Sequence, residues 1–114
     1  MALHQIIYTS HATELMSGPQ LVELLERARA KNLKLGVTGL LLYGHGSFMQ
    51  TIEGEAATLW GLYGTIERDP RHGGVIMICD EPIQQRSFSD WSMAFHDISN
   101  AEAASLAAPV AAAA

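Results

Sequence analysis

Residues 46–54 constrain the fold more than any other stretch, because they place one polar amide, Gln50, in the middle of an otherwise apolar strand. Alternate side chains of a strand share a face, so Gln50 points the same way as Phe48 and Ile52. That face should be buried, where an unmatched polar group costs about 1–3 kcal/mol. Gln50 therefore needs polar partners, and the simplest of these would be the neighbouring backbone.

The composition indicates one globular domain. The chain has 114 residues, of which 48% are hydrophobic and 17% charged, and this balance excludes a disordered chain. Seven basic and twelve acidic residues give a net charge of −5 without a basic cluster, so nucleic acid is not an expected partner. Cys79 is the only cysteine, which excludes an intrachain disulfide and a thiolate metal site. No leader-like start or membrane-spanning apolar run is present, so we expect a cytoplasmic protein.

The first third of the chain predicts a strand followed by a helix. Residues 3–9 alternate as a strand that carries Tyr8, and a polar loop is expected over 10–18. Ser17 and Gln20 have the spacing of a capping box, with a proline in the first turn, so a helix should begin here.

One face of this helix carries the apolar residues and also an asparagine. The positions that recur at helical spacing are Leu21, Leu24, Leu25, Ala28 and Asn32. The Asn32 side chain is either a cap for the last carbonyls of the helix or a contact to something bound in the core. Ala28 beside it leaves room for a molecule that is not protein.

Besides the strand that carries Gln50, the remaining sequence predicts three strands, one helix and a short C-terminal helix. The pattern assigns a strand to 35–43, a glycine-rich hairpin turn to 44–46, a helix to 56–66, a loop to 69–74, and strands to 75–79 and 91–95. A second capping box, Ser99 with Glu102, predicts a short helix over 100–108 that Pro109 ends. An alanine-rich tail follows.

This order of elements is that of an α+β, ferredoxin-like βαββαβ fold with an additional fifth strand. Right-handed crossovers place the first and third strands side by side at the centre of the sheet, which makes Tyr8 and Gln50 neighbours. Together with Asn32 they would converge on a space between the two helices. A flat heterocycle with carbonyls and ring nitrogens would match a phenol and two amides.

Five motifs occur along residues 3–98 in a definite order: QIIYTS at 5–10, ARAKNLKLGVTGLLLY at 28–43, FMQTIEG at 48–54, DPRH at 69–72 and WSM at 91–93. With them the chain resembles the BLUF family of blue-light sensors that use a flavin. The resemblance implies a photoreceptor domain over 1–98, with residues 99–114 as the short helix and tail. It also implies bound FAD, with FMN or riboflavin as alternatives, between the two helices on one sheet face.

The resemblance implies a role for each residue near the ring. Asn32 would contact the carbonyl edge of the flavin, and Gln50 would lie between the ring and Tyr8. Blue light would draw an electron and then a proton from Tyr8, leaving Gln50 rotated or tautomerised in a reversible red-shifted state. A phenol bonded to an amide can switch between two such bonding patterns.

Further site residues follow from the same resemblance. Asp69, Arg71 and His72 are candidates for the ribityl and phosphate end, and Lys31 is a further cofactor contact; the alternatives are a turn role for Asp69 and solvated positions for His72 and Lys31. The resemblance implies that Trp91 and Met93 compete for the place beside Gln50. Serine is frequent in the family where this chain has Ala28, so we expect an altered dark-recovery rate. The histidines lack metal-ligand spacing, so no metal site is expected.

Two other functions remain as alternatives on this fold. One is a small-ligand regulatory module without photochemistry. The other is an acyl-phosphate hydrolase, which would need an arginine cradle in the loop over 10–18, where the sequence has no arginine.

The chain itself offers no effector domain and no enzyme activity, so we expect its output to pass to a partner protein or through its own oligomer. An apolar sheet face opposite the flavin is expected to form a homo-oligomer, alone or with the C-terminal helix. Its members are Ile7, Leu40, Leu42, Met49, Ile76 and Ile78.

Overall fold

The computed structural model describes residues 2–14, 16–89 and 93–97. In chain order the elements are β1 (Leu3–Ala12), α1 (Gly18–Leu35), β2 (Thr38–Gly44), β3 (Ser47–Glu55), α2 (Ala56–Glu67), β4 (His72–Pro82) and β5 (Ala94–Asp97). The strands form one sheet in the order β4-β1-β3-β2-β5. Strand β5 is parallel to β2 and every other neighbouring pair is antiparallel. The predicted α+β, ferredoxin-like order and the central position of β1 beside β3 are confirmed.

Helix α1 begins at the predicted capping box. The Ser17 hydroxyl accepts a hydrogen bond from the Gln20 amide at 3.3 Å, and the Gln20 side chain accepts one from the Ser17 amide at 2.8 Å. The helix ends at Gly36, whose φ of 68° lies in the left-handed region that glycine tolerates. The expected strand over 35–43 therefore starts too early: Leu35 is still helical, and the strand begins at Thr38.

The hairpin between β2 and β3 has the predicted position. Its two turn residues, His45 and Gly46, have φ values of 52° and 79°, and two successive positive values are typical of the tight turns whose twist matches paired strands. The hairpin fixes the register that sets Leu41 opposite Gln50. Gln50 therefore lies on β3, the central strand of the sheet, between β2 on one side and β1 on the other.

Strands β1, β4 and β5 differ in length or position from the predictions. Strand β1 continues to Ala12 and β4 starts at His72, because these two residues pair with each other. The expected loops over 10–18 and 69–74 are therefore partly strand. Strand β5 covers Ala94–Asp97 instead of residues 91–95, and both Trp91 and the helix expected over 100–108 lie outside the described residues.

One face of the sheet, here called the helix face, packs against both helices. Its buried residues come from β1, β2, β3 and both helices, together with Val37 and Met93, and the partly buried Val75 and Met77 of β4 and Phe95 of β5 pack against them. The cluster includes Ile6, Tyr8, Leu25, Leu41, Phe48, Ile52, Leu59, Leu62, Tyr63 and Met93. Burial of these side chains at about 25 cal/mol per Å² holds the helices on this face.

The opposite face is less exposed than expected. Leu40 and Leu42 are buried and pack with Phe88, which belongs to the connection between β4 and β5. That connection has to cross the sheet because β4 and β5 form its two edges. Ile7 is also buried, so Ile76 and Ile78, which are 63% and 56% exposed, are the members of the expected apolar face that remain open.

Candidate functional site

Tyr8 and Gln50 face each other at the centre of the helix face. They are directly paired across β1 and β3, and both are buried. The Tyr8 hydroxyl donates a hydrogen bond to Gln50 Oε1. The neighbours expected from the strand order are thus in direct contact.

The other end of the Gln50 amide contacts Met93, directly before β5. Gln50 Nε2 donates to the Met93 sulfur at 3.4 Å, and Met93 is only 1% exposed. These two bonds orient the amide, because a phenol can donate to its oxygen and a thioether can only accept from its nitrogen. In this structure Met93 therefore lies beside Gln50, while Trp91 is outside the described residues.

Arg29 also holds Met93, which sequence reasoning missed. Its Nε donates to the Met93 carbonyl at 2.9 Å, so α1 is bonded to the residue that directly precedes the last strand. Arg29 is exposed on α1, and its position in the ARAKN motif gave no indication of this distant partner.

Burial and nearby charge keep Tyr8 in its protonated form. Desolvation is the largest of the effects that raise the pKa of Tyr8 well above its usual value, and Tyr63 and Asp69 add to it. The Tyr63 ring lies edge-on to Tyr8, with the centroids 5.7 Å apart. Tyr8 is therefore a neutral hydrogen-bond donor across the physiological pH range.

A cavity of about 200 Å³ opens beside this pair, between α1 and α2. The polar groups at its inner end are Tyr8, Gln50 and Asn32. Asn32 is 3% exposed and lies in the last turn of α1, whose end is closed by the backbone of Gly36. The side walls are largely apolar and include Leu24, Ala28, Leu41, Phe48, Leu62 and Ile66.

The outer end of the cavity is charged. Lys31, Arg27, Asp69 and Arg71 line it. Asp69 accepts hydrogen bonds from Arg71 Nε at 3.0 Å to each carboxylate oxygen, and this pairing lowers the pKa of Asp69. Asp69 also accepts from the Arg71 backbone amide at 2.9 Å, as expected of a residue with a turn role.

His72 is half-buried, and both of its ring nitrogens have protein partners. Its Nε2 lies 2.5 Å from the carbonyl oxygen of Ile66, which can only accept, so this nitrogen carries the proton. Its Nδ1 lies 2.7 Å from the hydroxyl of Ser10, a residue that is 1% exposed and that sequence reasoning missed. His72 lines the cavity with its ring, while both nitrogens are bonded to protein.

The arrangement fits a planar ring with polar edges and a charged tail. Amides at the inner end can donate and accept in the plane of such a ring, the apolar walls can cover its faces, and the charged mouth can receive phosphate. A flavin has these properties. Among the residues that the structure describes, no group of histidines, cysteines or carboxylates could hold a metal ion.

Most of the chain matches the model of a known protein family. Residues 3–94 match the family model BLUF, described as sensors of blue-light using FAD. Such a domain is a flavin-dependent blue-light photoreceptor. The chain belongs to the BLUF family, and FAD is its flavin.

The relatives include sensors joined to other domains. The chain is 38% identical over 92 residues to the photoactivated adenylate cyclase subunit beta of Euglena longa, which covers 80% of this chain and 11% of that protein. The chain thus spans about a tenth of the length of the curated relatives it matches first. In the part of the chain that the structure describes, no helix is long and apolar enough to cross a membrane.

Solved structures share the fold. The dark-state structure of the BLUF protein BlrB is 34% identical, with a TM-score of 0.85 over 96% of this chain and 80% of that chain. Klebsiella pneumoniae BlrP1, solved with FMN and cyclic diGMP, is 35% identical, with a TM-score of 0.78 over 83% of this chain and 26% of that chain.

Proposed function

We propose that the hydrogen-bonded series of Tyr8, Gln50 and Met93 is the light-responsive part of this photoreceptor. The observation that carries the proposal is the Gln50 amide, which is buried between a phenol at its oxygen and a thioether at its nitrogen. Both partners bond weakly enough to be exchanged for others, because neither is charged. Such an amide can adopt a second bonding pattern when its partners change.

The flavin would be held by residues from both ends of the cavity. We assign Tyr8, Gln50 and Asn32 to the edge of the ring and Lys31 to its side, with Asp69, Arg71 and His72 at the outer end. For His72 the contribution is its ring surface, because both nitrogens are already bonded to Ser10 and Ile66.

A bound flavin excited by blue light would act as an oxidant for a nearby phenol. Tyr8 would give up an electron, and its hydroxyl proton would move along the existing bond to Gln50 Oε1. When an electron and a proton return to Tyr8, no net oxidation remains, and Gln50 would be left rotated or tautomerised, with the bond from its Nε2 to the Met93 sulfur lost or replaced. Met93, directly before β5, would pass the change to the edge of the sheet.

The visible spectrum in the dark and immediately after blue light tests this function. A flavin band that shifts slightly to the red and returns in the dark is expected. A flavin band that bleaches or stays fixed would contradict the proposed switch. A colourless protein, purified after flavin was supplied during expression, would favour the alternative of a small-ligand module without photochemistry.

We further propose that the sensor domain covers residues 1–98 and signals in the cytoplasm to a separate effector protein, as a homo-oligomer. The exposed Ile76 and Ile78 on edge strand β4 support an oligomer, although they form a smaller surface than the sequence suggested. Sedimentation should show a species larger than a monomer, and replacing both isoleucines by lysine should reduce it to a monomer. Cys79, a free thiol on the same strand, is consistent with a reducing compartment.

A further inference from the structure

Glu53 is a fully buried acidic residue to which the proposed photocycle gives no role. It is 0% exposed and lies three positions after Gln50 on β3, so the two side chains are on opposite faces of the sheet. Burial of a carboxylate is unfavourable unless it is paired or hydrogen-bonded. Its partners therefore show what the position is for.

The Glu53 carboxylate accepts three hydrogen bonds, two of them from the connection between β4 and β5. The backbone amide of Ser87 donates at 2.7 Å and that of Phe88 at 2.9 Å. The third donor is the Thr38 hydroxyl of β2, at 3.1 Å. Bonds from backbone amides to a carboxylate are about twice as strong as neutral ones, so this is a firm attachment point.

Arg86 strengthens the same attachment from outside. Its guanidinium donates to the Thr38 hydroxyl at 2.8 Å and to the carbonyl oxygens of Gly36 and Glu53 at 2.8 and 3.1 Å. Thr38 thus links the arginine to the buried carboxylate. Three successive residues, 86–88, are fixed to the start of β2 and the end of β3.

Strand β3 therefore contacts the segment from Ser87 to Met93 at both of its ends. On the face opposite the helices, Glu53 binds the amides of Ser87 and Phe88. On the helix face, Gln50 donates to the Met93 sulfur. Only four residues of the sequence, 89–92, separate Phe88 from Met93.

We propose that Glu53 is a positioning residue of the photocycle, which fixes the connection before β5 and so keeps the Met93 sulfur in place as the dark-state acceptor for Gln50. This inference rests on the role proposed above for Gln50 and Met93. Return to the dark state requires Gln50 to regain the Met93 sulfur, and an acceptor that is in place only part of the time slows that step.

Glu53→Gln tests the inference with little change of shape. The amide keeps one oxygen but puts an NH₂ group against a backbone donor, so one attachment is lost. We expect the flavin and the red shift to be retained and dark recovery to slow by about threefold to tenfold, the equivalent of one hydrogen bond of about 0.7–1.4 kcal/mol. Glu55→Gln, an exposed acid on the same strand, is the matched control and should recover at the wild-type rate.

Methyl-labelled methionine provides a readout that a purely structural role would not move. In Glu53→Gln the dark-state NMR signal of Met93 should shift or broaden, and hydrogen exchange at Ser87 and Phe88 should accelerate. The inference is overturned if exchange accelerates while the Met93 signal and the recovery rate stay as in wild type. Faster recovery would also overturn it.

A milder variant, Thr38→Val, removes one of the three donors without altering the carboxylate. It should show the same effects at smaller size, and it replaces Glu53→Gln in the test if that variant does not fold. Wild-type recovery and an unchanged Met93 signal in Thr38→Val, despite faster exchange at Ser87, would then overturn the inference. Failure of the proposed switch itself is distinguishable, because wild-type protein would then show no reversible red shift.

Discussion

The two faces of β3 bury polar side chains in opposite ways. On the helix face, Gln50 has neutral partners, a phenol and a thioether, and lies beside a cavity. On the other face, the Glu53 carboxyl group accepts hydrogen bonds from two backbone amides and a hydroxyl. Backbone donors are fixed by the fold, whereas a phenol and a thioether can change partners. Gln50 is therefore suited to change its hydrogen-bond partners, whereas Glu53 is suited to keep its neighbours in fixed positions.

The largest expected effect is on the switching side. Tyr8→Phe should retain the flavin and its yellow colour but lose the reversible red shift completely, because Gln50 Oε1 loses its donor and the ring loses its exchangeable proton. Visible difference spectra before and after blue light measure this. Normal cycling in the variant would show that Tyr8 is not the donor and would remove the contrast between the two faces.

A second prediction compares the two faces by stability. Glu53→Gln should lower the free energy of unfolding by about 2–3 kcal/mol, because it leaves a buried amide donor without its carboxylate. Gln50→Leu should lower it by only about 1 kcal/mol, the cost of leaving the Tyr8 hydroxyl unpaired, and yet should abolish the red shift. Urea unfolding at one fixed flavin concentration compares the variants, since bound flavin adds to stability. The opposite ranking would contradict the division into a switching and a holding face.

Asn32→Ala should have a smaller effect that is confined to the cofactor. We expect weaker flavin retention, by about fivefold to tenfold for the loss of one hydrogen bond, or a displaced dark-state band. Flavin content after dialysis and the dark spectrum report this, with exposed Lys34→Ala in the same helix turn as the control. Full occupancy with an unchanged spectrum would limit Asn32 to a role in the helix.

The smallest expected effect is that of high pH on the light-induced absorption shift. Because burial raises the pKa of Tyr8, the phenol stays protonated where a free phenol, with a pKa of about 10, ionises. The light-induced shift should therefore keep its amplitude past pH 10. A loss of amplitude with a midpoint at or below pH 10 would show that Tyr8 is more exposed to water than the structure indicates.

The sign of the stability change follows from the same burial. In the unfolded chain Tyr8 loses its proton above about pH 10, whereas burial raises the pKa of Tyr8 so that the folded protein keeps this proton to higher pH. The contribution of Tyr8 to stability is thus present below pH 10 and declines as pH rises further. Tyr8→Phe should remove this part of the alkaline dependence, which unfolding curves between pH 8 and 11 would show.

Local sequence patterns were enough to predict most of the helices and strands. The capping box at Ser17 set the start of α1, and the glycine-rich turn set the β2–β3 hairpin, because both depend on residues close in sequence. The ends of the strands were predicted less accurately. Ala12 and His72 extend β1 and β4 because they pair with each other, and sequence alone does not show a partner 60 positions away.

The sequence likewise predicted some features of the candidate site and missed others. Alternation within β3 and the order of elements placed Gln50 beside Tyr8, and the resemblance to the BLUF family named the flavin. The sequence could not show that His72 has both nitrogens bonded, nor that Arg29 holds the Met93 carbonyl. These contacts join residues more than 60 positions apart, apart from the bond of His72 to Ile66.

The sequence by itself determined the identity and order of the elements, the polar residues on the helix face and the family, since these depend on periodicity, turn residues and motif order. Tertiary structure decided which apolar residues remain exposed and which polar residues hold the last connection. The expected apolar face shrank to Ile76 and Ile78 on an edge strand. Glu53 became an attachment point because the chain must cross the sheet to reach β5 on the other edge, which brings Ser87 and Phe88 to a carboxylate more than 30 residues earlier.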